Sequence, residues 1–428
     1  MENQMTSFAT NILNNLAKKD KFITIGVPAF RATGTICDLL ASVQIQTIKD
    51  HVSVVIQVDD PAENDAYDFV KTRFPELDIT ILPCEKNVGP GLARQGVLDH
   101  CKTDWITWID ADDVFSSPFA LEWLVGGISD SNCIEVMAPF GQEIDIDNAS
   151  KANLPVRIMP VDNPGHPWMF FRLYKVEFLR QFGIRFQEER AAMEDGCFNW
   201  KIRMCTANTP LNVNILPVSF MGYIWRTGSE HSITRIGMEE NDGMPLYNFD
   251  LCMVGSTVAA IDAVNFSKKI NPFNGEITRF AVEQMVGQYF TYVKCLAQKP
   301  MFAKQNLFNA KRFYHAVYKK YENDISDEIL TQMYTFQMAG QSQEMIGFIP
   351  EISFFDFMEK IKTEPYGAER EWYEIREEYP EWVNRLDRKT GMMGEGNDTY
   401  VYFDGEEKTC SYDEYVSGKT SVETSEEE

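Results

Sequence analysis

Between residues 22 and 113 the chain alternates short apolar segments with amphipathic ones, and this alternation constrains the fold more than any other feature. The apolar segments have the length and composition of buried strands, and they are 22–30, 52–60, 78–83 and 104–110. The amphipathic segments between them have helical spacing, and they are 35–46, 65–73 and 91–101. Strands that alternate with helices at short intervals form βαβ units, so the pattern predicts an α/β domain with a mostly parallel sheet.

Polar residues collect directly after these predicted strands. Pro28 to Arg31 follow the first, Asp59 and Asp60 the second, Asn87 to Arg94 the third, and Asp110 to Asp113 the fourth. Ligands of open α/β sheets bind beyond the carboxyl ends of the strands. We therefore expect these four groups to lie together and to form a binding site.

The fourth group lies in "DWITWIDADDVF", where Asp110, Asp112 and Asp113 end an apolar strand. Mg²⁺ and Mn²⁺ bind carboxylate oxygens and share their coordination with substrate phosphates, so the cluster is typical of a diphosphate-metal site. Aspartates also cap helices, and Ser116 and Ser117 are close by. Taken alone, the stretch fits a metal site and a capped turn about equally.

Two further groups suggest nucleotide contacts. Asp59 and Asp60 could accept hydrogen bonds from a base or a ribose, although "DDP" is also an ordinary turn sequence. The stretch "NVGPGLAR", with Asn87, Gly89 and Arg94, could bring backbone amides and a guanidinium close to phosphate. Its spacing matches neither GxGxxG nor GxxxxGK[ST], which excludes the dinucleotide and P-loop motifs.

Two later motifs complete the candidate site. In "MEDGCFNW", Glu194 and Asp195 precede an amphipathic stretch, where they could favour a helix dipole or supply a general base. In "GYIWRTGSEHSITR", Trp225, Arg226, His231 and Ser232 form a polar and aromatic loop after a strand. A single histidine is more often structural than a ligand.

The order and spacing of these motifs resemble the family 2 glycosyltransferases of the GT-A fold. The shared features are Pro-x-aromatic, strand-Asp-Asp, "N-x-G-x-x-x-A-R", hydrophobic-"D-x-D-D" and, some eighty residues later, "E-D". The resemblance covers roughly 22 to 236 and includes "FFRLYKVEFLRQFGIRFQEERAAMEDGCFNWKI". The variant "GPGLARQ" is similar to family members in bacteriophage genomes.

The resemblance implies a GT-A, Rossmann-like domain that binds a nucleotide-sugar, usually a UDP-sugar. The residues expected to bind the donor are Pro28, Phe30, Arg31, Asp59, Asp60, Asn87, Gly89, Arg94, Asp110 and Asp112. Two positions depart from the family pattern. The usual "D-D-G-S" is "DDPAEND" here, which leaves open whether Asp59 or Asp60 faces the base, and the tyrosine of "P-x-Y" is Phe30.

The same resemblance implies a metal-dependent, inverting sugar transfer. Asp113 would be the main ligand of Mn²⁺ or Mg²⁺, with Asp112, which would also contact the ribose or sugar, and His231 as further ligands. Asp195, supported by Glu194, would be the general base. Trp225, Arg226 and Ser232 would lie over the donor. A cation that neutralises the diphosphate and one carboxylate that deprotonates the acceptor hydroxyl are sufficient for a single displacement.

Two other functional classes of protein fit parts of this pattern. Phosphoryl transfer on an aspartate lacks the lysine that it needs and leaves the "N-x-G" and "E-D" motifs unexplained. A non-catalytic nucleotide-sugar-binding protein would not need both Asp113 and Asp195.

The acceptor is open between glycan, protein and a hydroxymethylated DNA base. The DNA reading would require a basic groove built from Arg185, Arg190, Lys201 and Arg203.

Composition sets the surroundings of this domain. The net charge is −24, and the 19 acidic and 7 basic residues of 364–428 contribute −12 of it. Such acidity argues against broad nucleic-acid binding. Nine cysteines without a CxxC pair, no apolar run of spanning length and no leader-like start predict a cytoplasmic protein.

We expect four regions along the chain. An N-terminal helix (1–20) caps a GT-A catalytic domain (21–240). A helical domain (241–363), which could mediate homo-oligomer contacts, follows it. An acidic extension (364–428) contains a helix, a hairpin and a frayed end.

Overall fold

The computed structural model describes most of the chain. The described residues are 2–17, 20–143, 158–161, 168–188, 193–206, 209–226, 247–270, 275–298, 303–341, 353–363, 399–403 and 407–411. They divide into two compact units: the first is Met1–Arg190 with Glu194–Ser232, and the second is Ala191–Met193 with Ile233–Glu428. Each unit is considered separately below.

Helices and strands alternate through the first unit. The helices are α1 (Glu2–Leu16), α2 (Ile36–Gln44), α3 (Phe69–Arg73), α4 (Pro90–His100), α5 (Ala120–Gly126), α6 (Val176–Gln181) and α7 (Glu194–Thr206). The strands are β1 (Ile23–Ala29), β2 (Val52–Val58), β3 (Asp78–Leu82), β4 (Trp105–Trp108), β5 (Val114–Phe115), β6 (Cys133–Met137), β7 (Phe140–Glu143), β8 (Ile158–Val161), β9 (Arg172–Lys175), β10 (Asn212–Ile215) and β11 (Tyr223–Trp225).

The main sheet has seven strands in the order β10-β6-β9-β4-β1-β2-β3. Pairing is parallel from β4 through β1 and β2 to β3 and also between β10 and β6. Only β9 runs antiparallel to its two neighbours. The predicted α/β class with a mostly parallel sheet is therefore confirmed.

Apolar strands explain why this sheet is buried on both faces. In β1, Ile23, Ile25 and Val27 are fully buried, and β2 contributes Ile56 and Val58 to the same core. Strands covered on both faces read as continuous apolar runs rather than alternating ones. This is why the segments at 22–30 and 52–60 could be identified from the sequence.

Trp108, at the end of β4, is the centre of an aromatic cluster. Tyr174, Phe186 and Phe198 meet its ring edge-on with centroids 5.4–5.6 Å away. Phe198 belongs to α7, so this packing fixes α7 against the strand that carries the aspartate cluster.

A second sheet has four strands in the order β5-β11-β7-β8. Its strand β5 directly follows the aspartate cluster, and β11 pairs with it through Tyr223 and Phe115. The small sheet thus connects residues 110–113, which we call the aspartate loop, to the segment around 223–226.

The N-terminal helix α1 lies against α5 and its surroundings. Phe8 packs on Phe220 with ring centroids 5.4 Å apart, and the Asn11 amide donates to the Gly126 carbonyl at 3.4 Å.

The second unit is helical in its described part. Its helices are α8 (Tyr247–Ile270), α9 (Gly275–Gln298), α10 (Ala303–Ala316), α11 (Asp327–Met338) and α12 (Phe354–Thr363). Their core is rich in aromatic rings, with Tyr289 packed edge-on against Phe354 and Phe357. A helical region after the α/β domain was expected from the sequence, and it is present.

Strands β12 (Thr399–Phe403) and β13 (Glu407–Ser411) pair in antiparallel register near the end of the chain. The predicted turn at 404–405 and the predicted helix after residue 364 lie outside the described residues. Within the part of the chain that the structure describes, no helix has the length and apolar character needed to cross a membrane.

Candidate active site

The loop before α4 is held by the Asp59 carboxylate. Asp59 is buried, and its two oxygens accept from the backbone amides of Val88 at 2.6 Å and Gly89 at 2.9 Å. The Asn87 amide donates back to the Asp59 carbonyl at 2.8 Å. Gly89 has φ 83°, a left-handed conformation that glycine adopts without strain. Asp59 therefore shapes the "NVGP" turn.

Asp60 takes a different position at the same edge. Its carboxylate accepts from Arg31 Nε at 3.0 Å and from the amide of Ala62 at 3.1 Å. The hydrogen bond from Arg31 lowers the pKa of Asp60. Arg31 also lies over the Phe30 ring, 5.0 Å from its centroid, and Phe30 is 39% exposed. Pro28, in β1, is partly buried beside Gln57.

Arg94 joins two of the predicted motifs. Its guanidinium is buried, and it donates to Asp110 through Nη2 and to Glu194 through Nη1, both at 2.7 Å. Burial works against its charge, but the carboxylates of Asp110 and Glu194 outweigh burial and raise the pKa of Arg94. The sequence predicts that Arg94 contacts the donor. In the structure, its guanidinium pairs with the carboxylates of Asp110 and Glu194.

Asp195 begins α7 beside Glu194. Its Oδ1 accepts from the amide of Gly196 at 2.7 Å. Burial, followed by the charge of Glu194, raises the pKa of Asp195 to about 7, although Arg94 opposes this shift. A carboxyl group with this pKa exchanges protons near neutral pH, as a general base requires.

Asp113 is fully buried, and both of its oxygens are engaged. Oδ2 accepts from the Tyr223 hydroxyl, and Oδ1 accepts from the amide of Arg226 at 2.7 Å. Burial and then the charges of Asp110 and Asp112 raise the pKa of Asp113 well above its ordinary value. Asp113 thus attaches β11 to the aspartate loop.

Asp112 and Asp110 present the more accessible carboxylates of the cluster. Asp112 is partly buried, and the side chain of Asp110 is 31% exposed. Among the described residues no group of three His, Cys, Asp or Glu side chains could hold a metal ion alone. A Mg²⁺ or Mn²⁺ ion shared with a diphosphate needs only one or two carboxylates, and this donor set fits such an ion.

The segment after β11 is attached at two points. The backbone amide of Arg226 donates a hydrogen bond to Asp113. Its side chain also donates through Nη1 to Asp38 in α2 at 2.9 Å. Trp225 stacks on Phe170, with ring centroids 5.6 Å apart. His231 and Ser232, predicted to lie over the donor, are outside the described residues.

Two residues that support the site were not anticipated. Tyr223 lies within the quoted "GYIWR" stretch, but nothing in the sequence pairs it with an aspartate 110 positions away. Gly91 lies where α4 approaches α7, and a Cβ atom there would be 3.0 Å from the Cβ of Glu194. A glycine two residues after "VG" gives no local signal of that approach.

Comparison with known proteins identifies the first unit. The family model described as "Glycosyl transferase family 2" matches residues 24–191. The chain contains a family 2 glycosyltransferase domain. The matched residues include β1, the "NVGPGLAR" loop and the aspartate cluster, and they end just before Glu194.

One curated relative matches part of the chain. It is the uncharacterized glycosyltransferase YwdF of Bacillus subtilis, 30% identical over 97 residues, or 22% of the chain. The chain spans about a third of the length of this relative (34%).

Two solved structures are similar to the chain at low sequence identity. TarS 1-349 of S. aureus is 15% identical, with a TM-score of 0.42 over 76% of this chain and 93% of that one. The mannosyltransferase PcManGT of Pyrobaculum calidifontis, in complex with GDP-Man and Mn²⁺, is 12% identical, with a TM-score of 0.39 over 84% and 96%.

Three of the four cations that a DNA-binding groove near Asp195 would need lie in the described part of the chain: Arg185, Lys201 and Arg203. Arg185 forms a bidentate ion pair with Asp99, with N–O distances of 2.8 and 2.9 Å. Lys201 is buried and donates to the Arg185 carbonyl at 2.7 Å. Lys201 thus makes an internal contact and Arg185 pairs with Asp99 at the surface, while Arg203 is exposed and Arg190 lies outside the described residues.

Proposed function

We propose that the protein transfers a sugar from a nucleoside diphosphate-sugar to a hydroxyl group, with Asp195 as general base. The observation that carries this proposal is the Arg94 bridge, because it brings the end of β4 and the start of α7 into one site through two 2.7 Å bonds. The loop of Asp110, which would bind the donor, and the start of α7, which carries the base for the acceptor, then lie on either side of the Arg94 guanidinium.

Asp195 is the group that would accept the proton of the acceptor hydroxyl. Its raised pKa of about 7 makes it a stronger base than an ordinary aspartate while leaving much of it ionised at neutral pH. Glu194 has a different task, since its carboxylate is held by Arg94. Glu194 would orient the first turn of α7 and raise the basicity of its neighbour.

Asp112 would be the principal protein ligand of a divalent cation on the donor diphosphate, with His231 as a further candidate. The partial exposure of Asp112 supports this role. Asp113 is buried and accepts hydrogen bonds from Tyr223 and Arg226, which supports a positioning role for Asp113. The bound ion would supply charge neutralisation for the departing diphosphate. Either Mn²⁺ or Mg²⁺ suits oxygen ligands.

The nucleoside would lie along the edge formed by β1 and β2. Phe30 offers an exposed ring, Arg31 lies over that ring, and Asp59 holds the "NVGP" turn whose backbone borders the edge. Asp60, which is tied to Arg31, is the more accessible aspartate of the pair for a base or ribose contact. A UDP-sugar is the donor class to test first.

A single carboxylate base opposite a departing diphosphate leads to one displacement and therefore to inversion at the anomeric carbon. Among the described residues next to Asp195, the carboxyl groups of Glu194 and Asp110 both pair with Arg94, so neither is placed to act as a second, nucleophilic carboxylate. In glycoside chemistry, retention through two displacements needs a carboxylate nucleophile.

The direct test is release of nucleoside diphosphate from a panel of UDP- and GDP-sugars with Mn²⁺ or Mg²⁺ and mixed hydroxyl acceptors. We expect Asp195→Asn to lower transfer by roughly 10²–10⁴-fold, the usual contribution of a general base. Asp65→Asn, at an exposed aspartate of the same domain, is the matched control. Release by no donor at all, or equal rates for Asp195→Asn and its control, would overturn the proposal.

The metal assignment is tested by Mn²⁺ binding rather than by turnover. Asp112→Asn should weaken the electron paramagnetic resonance signal of bound Mn²⁺ in the presence of UDP, while Asp113→Asn should retain binding. Loss of Mn²⁺ on Asp113→Asn, in a variant that unfolds at the wild-type temperature, would return the ligand role to Asp113.

A further inference from the structure

Three aromatic side chains form a stacked row in the first unit, which we call the aromatic row: Trp168, Phe170 and Trp225. The rings of Trp168 and Phe170 are 6.4 Å apart at 25°, and those of Phe170 and Trp225 are 5.6 Å apart at 26°. Phe140 supports the row from the side, meeting Trp168 at 90° with centroids 5.9 Å apart.

One end of the row is attached to the helix that carries the candidate base. The Asn199 amide donates to the Trp168 carbonyl at 3.3 Å, and its oxygen accepts from Tyr174 at 2.9 Å. Asn199 follows Asp195 by four residues in α7, so the two side chains lie on one face of the helix, one turn apart. The backbone of Trp168 is therefore attached to the helix of Asp195 at a residue one turn after the base.

The other end of the row is attached to the aspartate loop. Trp225 immediately precedes Arg226, whose amide donates to Asp113 at 2.7 Å. The aromatic row thus runs from the loop that would bind the donor diphosphate towards the helix of Asp195.

Exposure distinguishes Trp168 from ordinary core packing. Phe140 and Tyr223 are buried, but Trp168 is 39% exposed although it is locked by stacking and by Asn199. A large ring that is held rigid at the surface loses little entropy on binding, which is why tryptophan is frequent at recognition sites.

The neighbouring charges select what such a ring would bind. Glu194 and Asp195 place two carboxyl groups at the start of the helix to which Trp168 is attached, and this disfavours an anionic acceptor. An exposed surface one indole wide is too small for a protein or lipid partner, which would need a contiguous apolar patch of a few hundred Å². A neutral sugar ring fits both conditions, since its C–H face is apolar and its hydroxyl rim remains hydrated.

We propose that Trp168 is an acceptor subsite that stacks on a neutral pyranose ring, so that the natural acceptor is a glycan. This inference rests on the proposed sugar transfer and names its acceptor class. The indole face positions the ring, and a hydroxyl of that ring then reaches Asp195.

The experiment measures acceptor binding and transfer separately. Methyl pyranosides (gluco, galacto and N-acetylgluco) serve as ring probes, and glycerol and a serine peptide serve as ringless hydroxyl probes. Saturation-transfer NMR with UDP and Mn²⁺ present reports binding without turnover. We expect Trp168→Leu to lose the pyranoside signal and to raise the acceptor KM roughly tenfold, as the loss of one stacking contact would.

Matched variants make the result specific. Trp168→Tyr keeps an aromatic face and should retain most binding. Phe69→Ala removes a ring of the same exposure (39%) from α3 and should change nothing. The affinity for UDP and the slow release of UDP without acceptor should be unchanged in Trp168→Leu. Should that variant fail to fold, fluorine NMR of 5-fluorotryptophan-labelled wild-type protein, with the Trp168 signal assigned through Trp168→Tyr, should show that signal shifting on pyranoside addition.

The outcomes separate the inference from the proposed function. Transfer to pyranosides that is equal in Trp168→Leu and Phe69→Ala would overturn the acceptor subsite and leave glycosyl transfer standing. Pyranoside binding that depends on Trp168, without transfer from any donor, would support the subsite and overturn the catalytic proposal. An equal loss for ringless acceptors would also overturn the stacking role.

Discussion

At the scale of single residues, the site depends on how three carboxylates, those of Asp110, Glu194 and Asp195, surround one guanidinium, that of Arg94. Arg94 neutralises Asp110 and Glu194 directly, which leaves Asp195 with burial and a neighbouring negative charge. Burial and like charges both favour the protonated form of a carboxyl group. Burial and the charge of Glu194 therefore raise the pKa of Asp195.

The raised pKa of Asp195 leads to a prediction about pH. Since the ionised form is the active base, kcat/KM should rise with pH, reach half its maximum near pH 7 and level off above it. A pH profile of nucleoside diphosphate release measures this. An activity that is flat between pH 5 and 8 would contradict it.

The same shift has the opposite effect on stability. Between pH ~4 and the raised value near 7 the native state binds one proton more than the unfolded chain, so this residue's contribution to stability is lost as pH rises through that window. Asp195→Asn should therefore raise the melting temperature more at pH 8 than at pH 5.

Replacing Arg94 by lysine tests the bridge itself. A lysine keeps the charge but cannot donate in a fork to Asp110 and Glu194 at once. We expect a large loss of kcat and a loss of stability up to ~3–5 kcal/mol, because a buried carboxylate loses its partner. Thermal unfolding and steady-state kinetics measure the two effects. Arg185→Lys, at an exposed ion pair of the same domain, should cost less than about 1 kcal/mol.

At the scale of elements, the site requires α4 to approach the start of α7 closely. Gly91 permits this approach, since a Cβ atom at that position would lie 3.0 Å from the Cβ and 3.1 Å from the Cγ of Glu194. Trp108 and Phe198 fix α7 from the other side. The distance between the two helices is thus set by a glycine and an aromatic cluster.

Gly91→Ala should affect activity more than stability. Alanine gains about 1 kcal/mol of helix propensity, which offsets part of the ~1–3 kcal/mol of overpacking. The displaced Glu194 would loosen its bond to Arg94, so kcat should fall several-fold while the melting temperature changes little.

A matched substitution makes this comparison clean. Gly287→Ala, in α9, adds the same methyl group to a helix where nothing lies within 4 Å. It should raise the melting temperature and leave transfer unchanged. Equal kcat in the two variants would show that the approach at Gly91 is not needed.

At the scale of the whole molecule, charge limits the choice of partners. The net charge is −24, and of the described cations that a DNA-binding groove would need, Lys201 is buried and Arg185 is paired with Asp99, while Arg203 is exposed. Phosphate backbones bind through accessible lysine and arginine.

We therefore expect no salt-sensitive binding to duplex DNA that carries hydroxymethylated bases. A mobility-shift titration at low ionic strength, with unmodified duplex as the control, measures it. Binding that is selective for the modified duplex and weakens with added salt would overturn this expectation and restore the DNA acceptor.

Much of the architecture could be predicted from local patterns. The alternation of apolar and amphipathic segments predicted a parallel sheet, and the confirmed sheet contains the predicted strands in parallel register. The order of motifs predicted a family 2 domain, and the family match over 24–191 confirms it. The predicted roles of the individual site residues remain proposals.

The sequence by itself determined the helices and strands of 22–113 and the end of each strand at which carboxylates collect, because periodicity and strand order are local properties. Only the tertiary structure decided what each carboxylate faces. Asp59 turns to backbone amides, Asp113 accepts from a tyrosine 110 residues away, and Arg94 reaches Glu194 across 100 residues. Such partners meet through the packing of distant elements, and no spacing along the chain encodes them.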